Sequence, residues 1–116
     1  MTDYKITIHP LAEKDLKALH QAGLSHFADR AAQQLKQHGE LPDFPHERGG
    51  KVTLLAADAP GWFRLKHGRI RIIFRFVKSD PSIPRADTIE VVRVDQRDES
   101  TYGRELRRRY ALIEGQ

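Results

Sequence analysis

The chain has 116 residues, no cysteine, 39% hydrophobic and 31% charged residues, and a formal net charge of +4. That length supports a single domain over residues 1–116, with a composition suited to a soluble globular protein whose surface is heavily charged. The lack of cysteine excludes a disulfide framework and a thiolate metal site and fits a cytoplasmic location, and with no basic-then-apolar leader and no run of about eighteen apolar residues, neither secretion nor membrane insertion is expected.

Charge is distributed unevenly. Residues 1 to 60 hold seven Lys and Arg against eight Asp and Glu, whereas residues 61 to 110 hold thirteen against seven. A basic field confined to one half of a chain points to an anionic partner, nucleic acid or an acidic protein. A solvated basic surface is the plain alternative.

In chain order, Tyr4 to His9 alternates like a short strand rich in β-branched residues. Pro10 then opens a helix, where its missing N–H costs nothing, and Ala12, Leu16 and Leu19 form one narrow apolar stripe. Gly23 breaks the run. Ser25 is placed to cap a second helix whose apolar face carries Leu24, Phe27, Ala31 and Leu35, with Gly39 placed to end it in the left-handed region. These two helices, joined by a turn of four or five residues, read as an antiparallel hairpin lying on a sheet. Residues 40 to 61 are rich in Pro and Gly around an apolar run, Val52 to Ala57, which reads as a brief strand or a tucked loop with no chemistry assigned.

Gly61 to Phe76, GWFRLKHGRIRIIFRF, reads as two strands around a tight turn at His67-Gly68. That turn would set Lys66 opposite Arg69 and Arg64 opposite Arg71. One face carries Phe63, Leu65, Ile70, Ile72, Phe74 and Phe76; the other carries Arg64, Lys66, Arg69 and Arg71, with Trp62 at its edge as partly buried packing. Like charges directly opposite one another destabilise a sheet, so fold stability gives no reason to place them there. Ser79 to Asp87 is a turn-rich connection, and Thr88 to Asp95 is a strand apolar enough for burial on both faces. Thr101 to Ile113 is a helix with Leu106, Tyr110 and Ile113 on one side and Arg104, Arg107, Arg108 and Arg109 on the other, read as a solvated face or as RNA contacts. The expected fold is therefore α+β, a small antiparallel-rich sheet in the order β-α-α-β-β-β-α, with an N-terminal helical hairpin and a C-terminal helix.

The six histidines form no metal-ligand pattern, and neither a serine elbow nor a phosphate-binding glycine loop is present. No metal and no cofactor is expected. The basic hairpin, the strand IEVVRV and the following DQRDESTY, with Arg97 and Tyr102, together resemble the RelE/ParE superfamily of toxins from type II toxin–antitoxin operons, along nearly the whole chain. The resemblance implies endoribonucleolytic cleavage of messenger RNA, in many members on the ribosome, in the A site, and neutralisation by a cognate antitoxin. Carried over by position, Lys66, Arg71, Arg97 and Tyr102 are the implied catalytic residues. Arg64 is the implied auxiliary cation, and Arg64, Arg69, Arg107 and Arg108 are read, the last three from their charge alone, as contacts to RNA phosphates.

The residue chemistry suits that activity. Cleavage without a metal uses the RNA 2′-hydroxyl as nucleophile, so a site must move protons and stabilise charge on the phosphorane, for which arginine forks are matched. Lys66 among three arginines is expected to lose its proton more readily than an isolated lysine, whose pKa is roughly 10.4, because like charges disfavour its ammonium form. Tyr102 serves as acid/base or as a stacking platform. The other readings are a ParE-type toxin of the same fold that inhibits DNA gyrase without nuclease chemistry, and an inactive relative that only binds.

Overall fold

The computed structural model describes residues 4–40, 44, 52–55, 57–96 and 103–115. The elements are β1 (Lys5–Ile8), α1 (Pro10–Gln21), α2 (Ser25–Gly39), β2 (Val52–Leu55), β3 (Trp62–His67), β4 (Ile70–Val77), β5 (Thr88–Gln96) and α3 (Arg104–Glu114). They build a five-stranded sheet in the order β1-β5-β4-β3-β2. β1 runs parallel to β5 and every other pairing is antiparallel. The expected α+β architecture is present. The brief run at Val52 is an edge strand, which makes the sheet one strand wider than the expected order.

Two cores lie on the two faces of the sheet. On one, α1 and α2 cover Leu65, Ile70, Ile72, Phe74, Ile89, Val91 and Val94 through Ala12, Leu19, Ala28, Ala31 and Leu35. Aromatic rings close that core at its far end: Phe44 stacks on Phe74 with centroids 5.7 Å apart, and Phe63 stacks on the same ring at 5.8 Å. On the other face α3 seats Leu106 and Ile113 on Trp62, Ile73 and Val92. β5 is thus covered on both sides, as its uninterrupted apolar run requires.

Pro10 occupies the start of α1 as expected, and His9 caps it by accepting the Leu11 N–H at Nδ1. Ser25 does not cap α2. The helix begins at Ser25 itself, Leu24 holds the capping position without a side-chain bond, and the connection from α1 is only residues 22–24. Gly39 is not in the left-handed region either. It is the last residue of α2, and a Cβ there would meet Ile89 Cδ1 at 3.3 Å, so the glycine lets helix and sheet approach.

β5 outruns its parallel neighbour. β1 pairs with it only through Val91, and His9 N–H then donates to the Val91 carbonyl. Beyond that point side chains take over the edge. The Val94 N–H donates to Asp15 Oδ2 at 3.1 Å, and Arg109 Nη1 donates to the Val92 carbonyl at 2.9 Å. Arg109 also grips both Asp15 oxygens, at 2.9 and 3.2 Å. This bidentate pair joins α1, β5 and α3 and is about four-fifths buried on each side. Arg109 is therefore a structural residue rather than part of a solvated helix face.

The far end of α3 is fastened differently. Glu114 Oε1 accepts from Trp62 Nε1 at 2.8 Å and from Arg75 Nη1 at 2.7 Å, while Arg75 Nε donates to Glu90 at 2.8 Å. Trp62 is 1% exposed and its ring lies 5.0 Å from Tyr110, so it is core packing and no platform for a base. The connection before β5 is also tied: Asp87 accepts from the Ser79 backbone N–H and hydroxyl, which hold its carboxyl down to about 2.

Replacing Asp15 by Ala leaves the Val94 N–H without its acceptor and Arg109 without its partner. The expected loss is about 2 kcal/mol, read as a lowered urea midpoint by the emission of the single tryptophan. Burial pushes the Glu114 carboxyl up, but the Trp62 and Arg75 hydrogen bonds outweigh it and leave it below the ordinary range. A lowered folded value stabilises above the unfolded carboxyl value and is lost as pH falls through the folded one. Acidification through that window should therefore shift Trp62 emission toward that of exposed indole, and Glu114→Gln should abolish the pH dependence of that step.

Candidate functional site

The register of the central hairpin decides which charges meet. The turn is Gly68-Arg69, with His67 paired to Ile70, instead of the expected His67-Gly68. Gly68 has φ 58° and no non-glycine among the described residues has positive φ, so the turn places its left-handed position on the one residue without a Cβ penalty. Moving the turn by one residue moves the pairing by two. Each residue that stays in the ladder therefore keeps its expected face while changing its partner.

Lys66 faces Arg71 across the ladder, and Arg71 faces Asp95 on β5. In the next row Arg64 faces Ile73, which faces Arg93. The expected Arg64–Arg71 and Lys66–Arg69 pairs do not form. Between Ile73 and Phe74 the β4–β5 register slips, Ile73 pairing with Arg93 and Phe74 with Val91, so that Val92 is supernumerary. Val92 packs under α3 and Arg93 bonds to it, and the bulge thereby places both on the face that carries Lys66 and Arg71.

The depth of each cation differs. Lys66 is exposed, Arg64 is half-buried, and Arg71 is 7% exposed in the middle of the row. Arg93 is equally deep and is held at Nε by Asp95 at 2.6 Å and at Nη2 by Glu105 of α3 at 3.2 Å. Burial raises the Asp95 carboxyl above its ordinary range, an effect the Arg93 guanidinium only partly offsets. The sequence suggests Asp95 only as a partner for Arg97 and does not single out Arg93, which holds it here. The available signal was alternation: Arg93 and Asp95 are two apart on a strand and so share a face.

The remaining expected site residues fall elsewhere. Arg69 stands in the turn with its guanidinium carbon 5.3 Å from the Phe27 ring centroid on α2, on the side of the helical hairpin. It leaves the Lys66–Arg71 face, because the shifted turn takes it out of the ladder. Arg107 is exposed and 3.6 Å from Asp58, a surface pair worth about 0–1 kcal/mol. Arg108 is exposed beside a shallow groove lined by Leu11, Arg93, Glu105, Arg109 and Leu112. Arg97 and Tyr102 lie outside the described residues; the last described residue before them, Gln96, pairs with Ile70 next to Arg71. Among the described residues no three His, Asp or Glu side chains converge as metal ligands, and no helix is long and apolar enough to cross a membrane.

The sheet face therefore offers one exposed ammonium, one half-buried guanidinium and a third cation beneath them, flanked by a carboxyl on β5. Such a surface can bind a phosphate and polarise it from below in a partly desolvated setting.

The family model for the ParE toxin of type II toxin-antitoxin system, parDE, matches residues 6–101. Among solved structures the chain is similar to the toxin-antitoxin complex RelBE2 from Mycobacterium tuberculosis, at 20% identity and a TM-score of 0.57, over 83% of this chain and 100% of that one. It is also similar to the YoeB dimer from Staphylococcus aureus, at 17% identity and a TM-score of 0.50, over 79% of this chain and 94% of that one. At these identities the likeness is one of fold. No curated protein matches the sequence.

Proposed function

The chain belongs to the ParE toxin family, within the RelE/ParE superfamily of type II toxin–antitoxin toxins, and from that premise we propose that it is a metal-independent endoribonuclease acting on messenger RNA. The observation that carries the reading is the row of Lys66 opposite Arg71, with Arg64 beside it. The register gathers three cations on one face of the hairpin, a face suited to a phosphate.

In this reading the RNA 2′-oxygen attacks the adjacent phosphorus and the bond from phosphorus to the 5′-oxygen breaks, leaving a cyclic phosphate and a 5′-hydroxyl. Lys66 is the exposed group able to exchange a proton with the reacting oxygens. Arg71, buried below, supplies a fixed charge that needs no reorganisation as the phosphorane forms. Arg64 is an auxiliary cation. Arg97 joins Arg71 on the phosphate, and Tyr102 transfers a proton or orients the base. Arg107 and Arg108 contact ribosomal RNA around the A site of the cytoplasmic ribosome. A cognate antitoxin neutralises the toxin by laying an acidic or amphipathic segment over the basic face.

A second reading is supported by the family model, which is that of ParE: the same fold binds and inhibits DNA gyrase with no nuclease chemistry. The two separate in a translating extract in which mRNA ends are mapped and supercoiling by gyrase is followed in parallel. Endonuclease action predicts new 5′ ends with wild type and a loss of about 10²-fold or more in Lys66→Ala combined with Arg97→Ala, with Trp62 emission unchanged as the check on folding. Intact mRNA with failed supercoiling selects the gyrase reading, and neither effect selects an inactive binding relative.

A further inference from the structure

A second cationic feature lies on the opposite face of the sheet, at the tip of the same hairpin. An open cleft of about 570 Å³ is lined by Phe27 and Arg30 of α2, by His67, Gly68 and Arg69, and by Gln96 at the end of β5. That size is within the roughly 300–1,000 Å³ typical of small-ligand sites. Phe27 and Arg30 stand three apart on α2 and so share a helix face. Arg69 lies over the Phe27 ring at 5.3 Å, inside cation–π range, while His26 meets the same ring edge-on at 5.8 Å.

Arg75, Arg93, Arg107 and Arg109 are each met by a carboxylate. Among the described residues, neither Arg30 nor Arg69 is in an ion pair, and no Asp or Glu lines the cleft. Two permanent forks, an aromatic ring backing one of them, an imidazole and an amide match a nucleotide of single-stranded RNA. The forks take phosphate oxygens, the supported guanidinium plane takes a base by stacking, and Gln96 can read a base edge. An acidic peptide would use the charges but has no use for the supported plane.

The cleft also begins where the site row ends. His67 follows Lys66 and Ile70 precedes Arg71, and two strand residues span only about 7 Å. We infer that this cleft binds a nucleotide flanking the scissile phosphate, so that the RNA strand passes around the hairpin tip from one face of the sheet to the other. This rests on the nuclease reading for the word scissile; the binding itself does not.

The test uses the full chain and a fluorescent 2′-O-methyl oligoribonucleotide of roughly ten nucleotides, which 2′-hydroxyl attack cannot cleave. Its affinity is followed by anisotropy against salt. Arg30→Gln combined with Arg69→Gln should weaken binding about tenfold or more and flatten the logarithmic salt slope by about 0.7 for each lost phosphate contact. Phe27→Leu should weaken binding with the slope unchanged, and Arg30→Lys with Arg69→Lys should recover the slope. Unchanged Trp62 emission in each variant reports an intact fold. Equal affinity and slope in wild type and the Gln variant overturn the inference, as does absence of wild-type binding or equal competition by polyglutamate. If the expected changes appear while wild type cleaves no mRNA in the extract, the cleft stands as an RNA site and the nuclease reading alone falls.

Discussion

One backbone angle organises this molecule. The hairpin needs a left-handed residue at the first position of its turn, and only Gly68 supplies it without steric cost, at φ 58°. From that choice follow the pairing of His67 with Ile70, the meeting of Lys66 with Arg71, and the release of Arg69 from the ladder toward Phe27. A turn one residue earlier would have put His67 in the left-handed region, at a conformational cost, and would have distributed the cations differently. The same angle thus sets the sheet register and separates the basic residues into two groups, one on each face.

The arginines then divide by what answers them. Arg109 is held by both oxygens of Asp15 and closes the edge of β5 where β1 stops; Arg75 and Arg93 link β4 or β5 to acidic groups that include Glu114 and Glu105 of α3. These charges fasten α3 to the rest of the molecule, and for the mostly buried Arg109–Asp15 pair removing one partner costs more than the pair is worth as a net attraction. Arg30 and Arg69 stand without an ion pair among the described residues. A basic net charge is therefore a poor guide to the binding surface of this chain, since much of it is internal scaffolding.

Strand alternation made the two faces of the hairpin legible in the sequence, and they survived an error in the turn because a shift of one residue in the turn moves pairing by two. Partners were not legible, for the same reason. The helices were readable from their apolar stripes, yet the fate of Arg109 was not: its partner Asp15 lies 94 residues away, and no periodicity encodes that distance. Gly39 was misread because a glycine at a helix end suggests a left-handed cap, whereas here it clears space for Ile89. Arg93 went unnoticed because a strand apolar on both faces draws attention to its valines, and the bulge that sets Val92 beside Arg93 has no local signature.

Arg93 ties the site to the C-terminal helix. Its guanidinium bonds at one end to Asp95, the group facing Arg71, and at the other to Glu105 in the first turn of α3. Burial raises the Asp95 carboxyl, and the Arg93 guanidinium that partly offsets it is the same group that reaches Glu105 of α3. Residues 97–102 join β5 to α3, and Arg97 and Tyr102 belong to that connection. A helix anchored at one end by Arg93 and Arg109 and at the other by Glu114 fixes where that connection ends. The fastening of α3 is thus a condition for a composite site: it sets the far end of the segment that carries the second set of proposed catalytic groups, and through Arg93 it is joined to the carboxylate that faces the first.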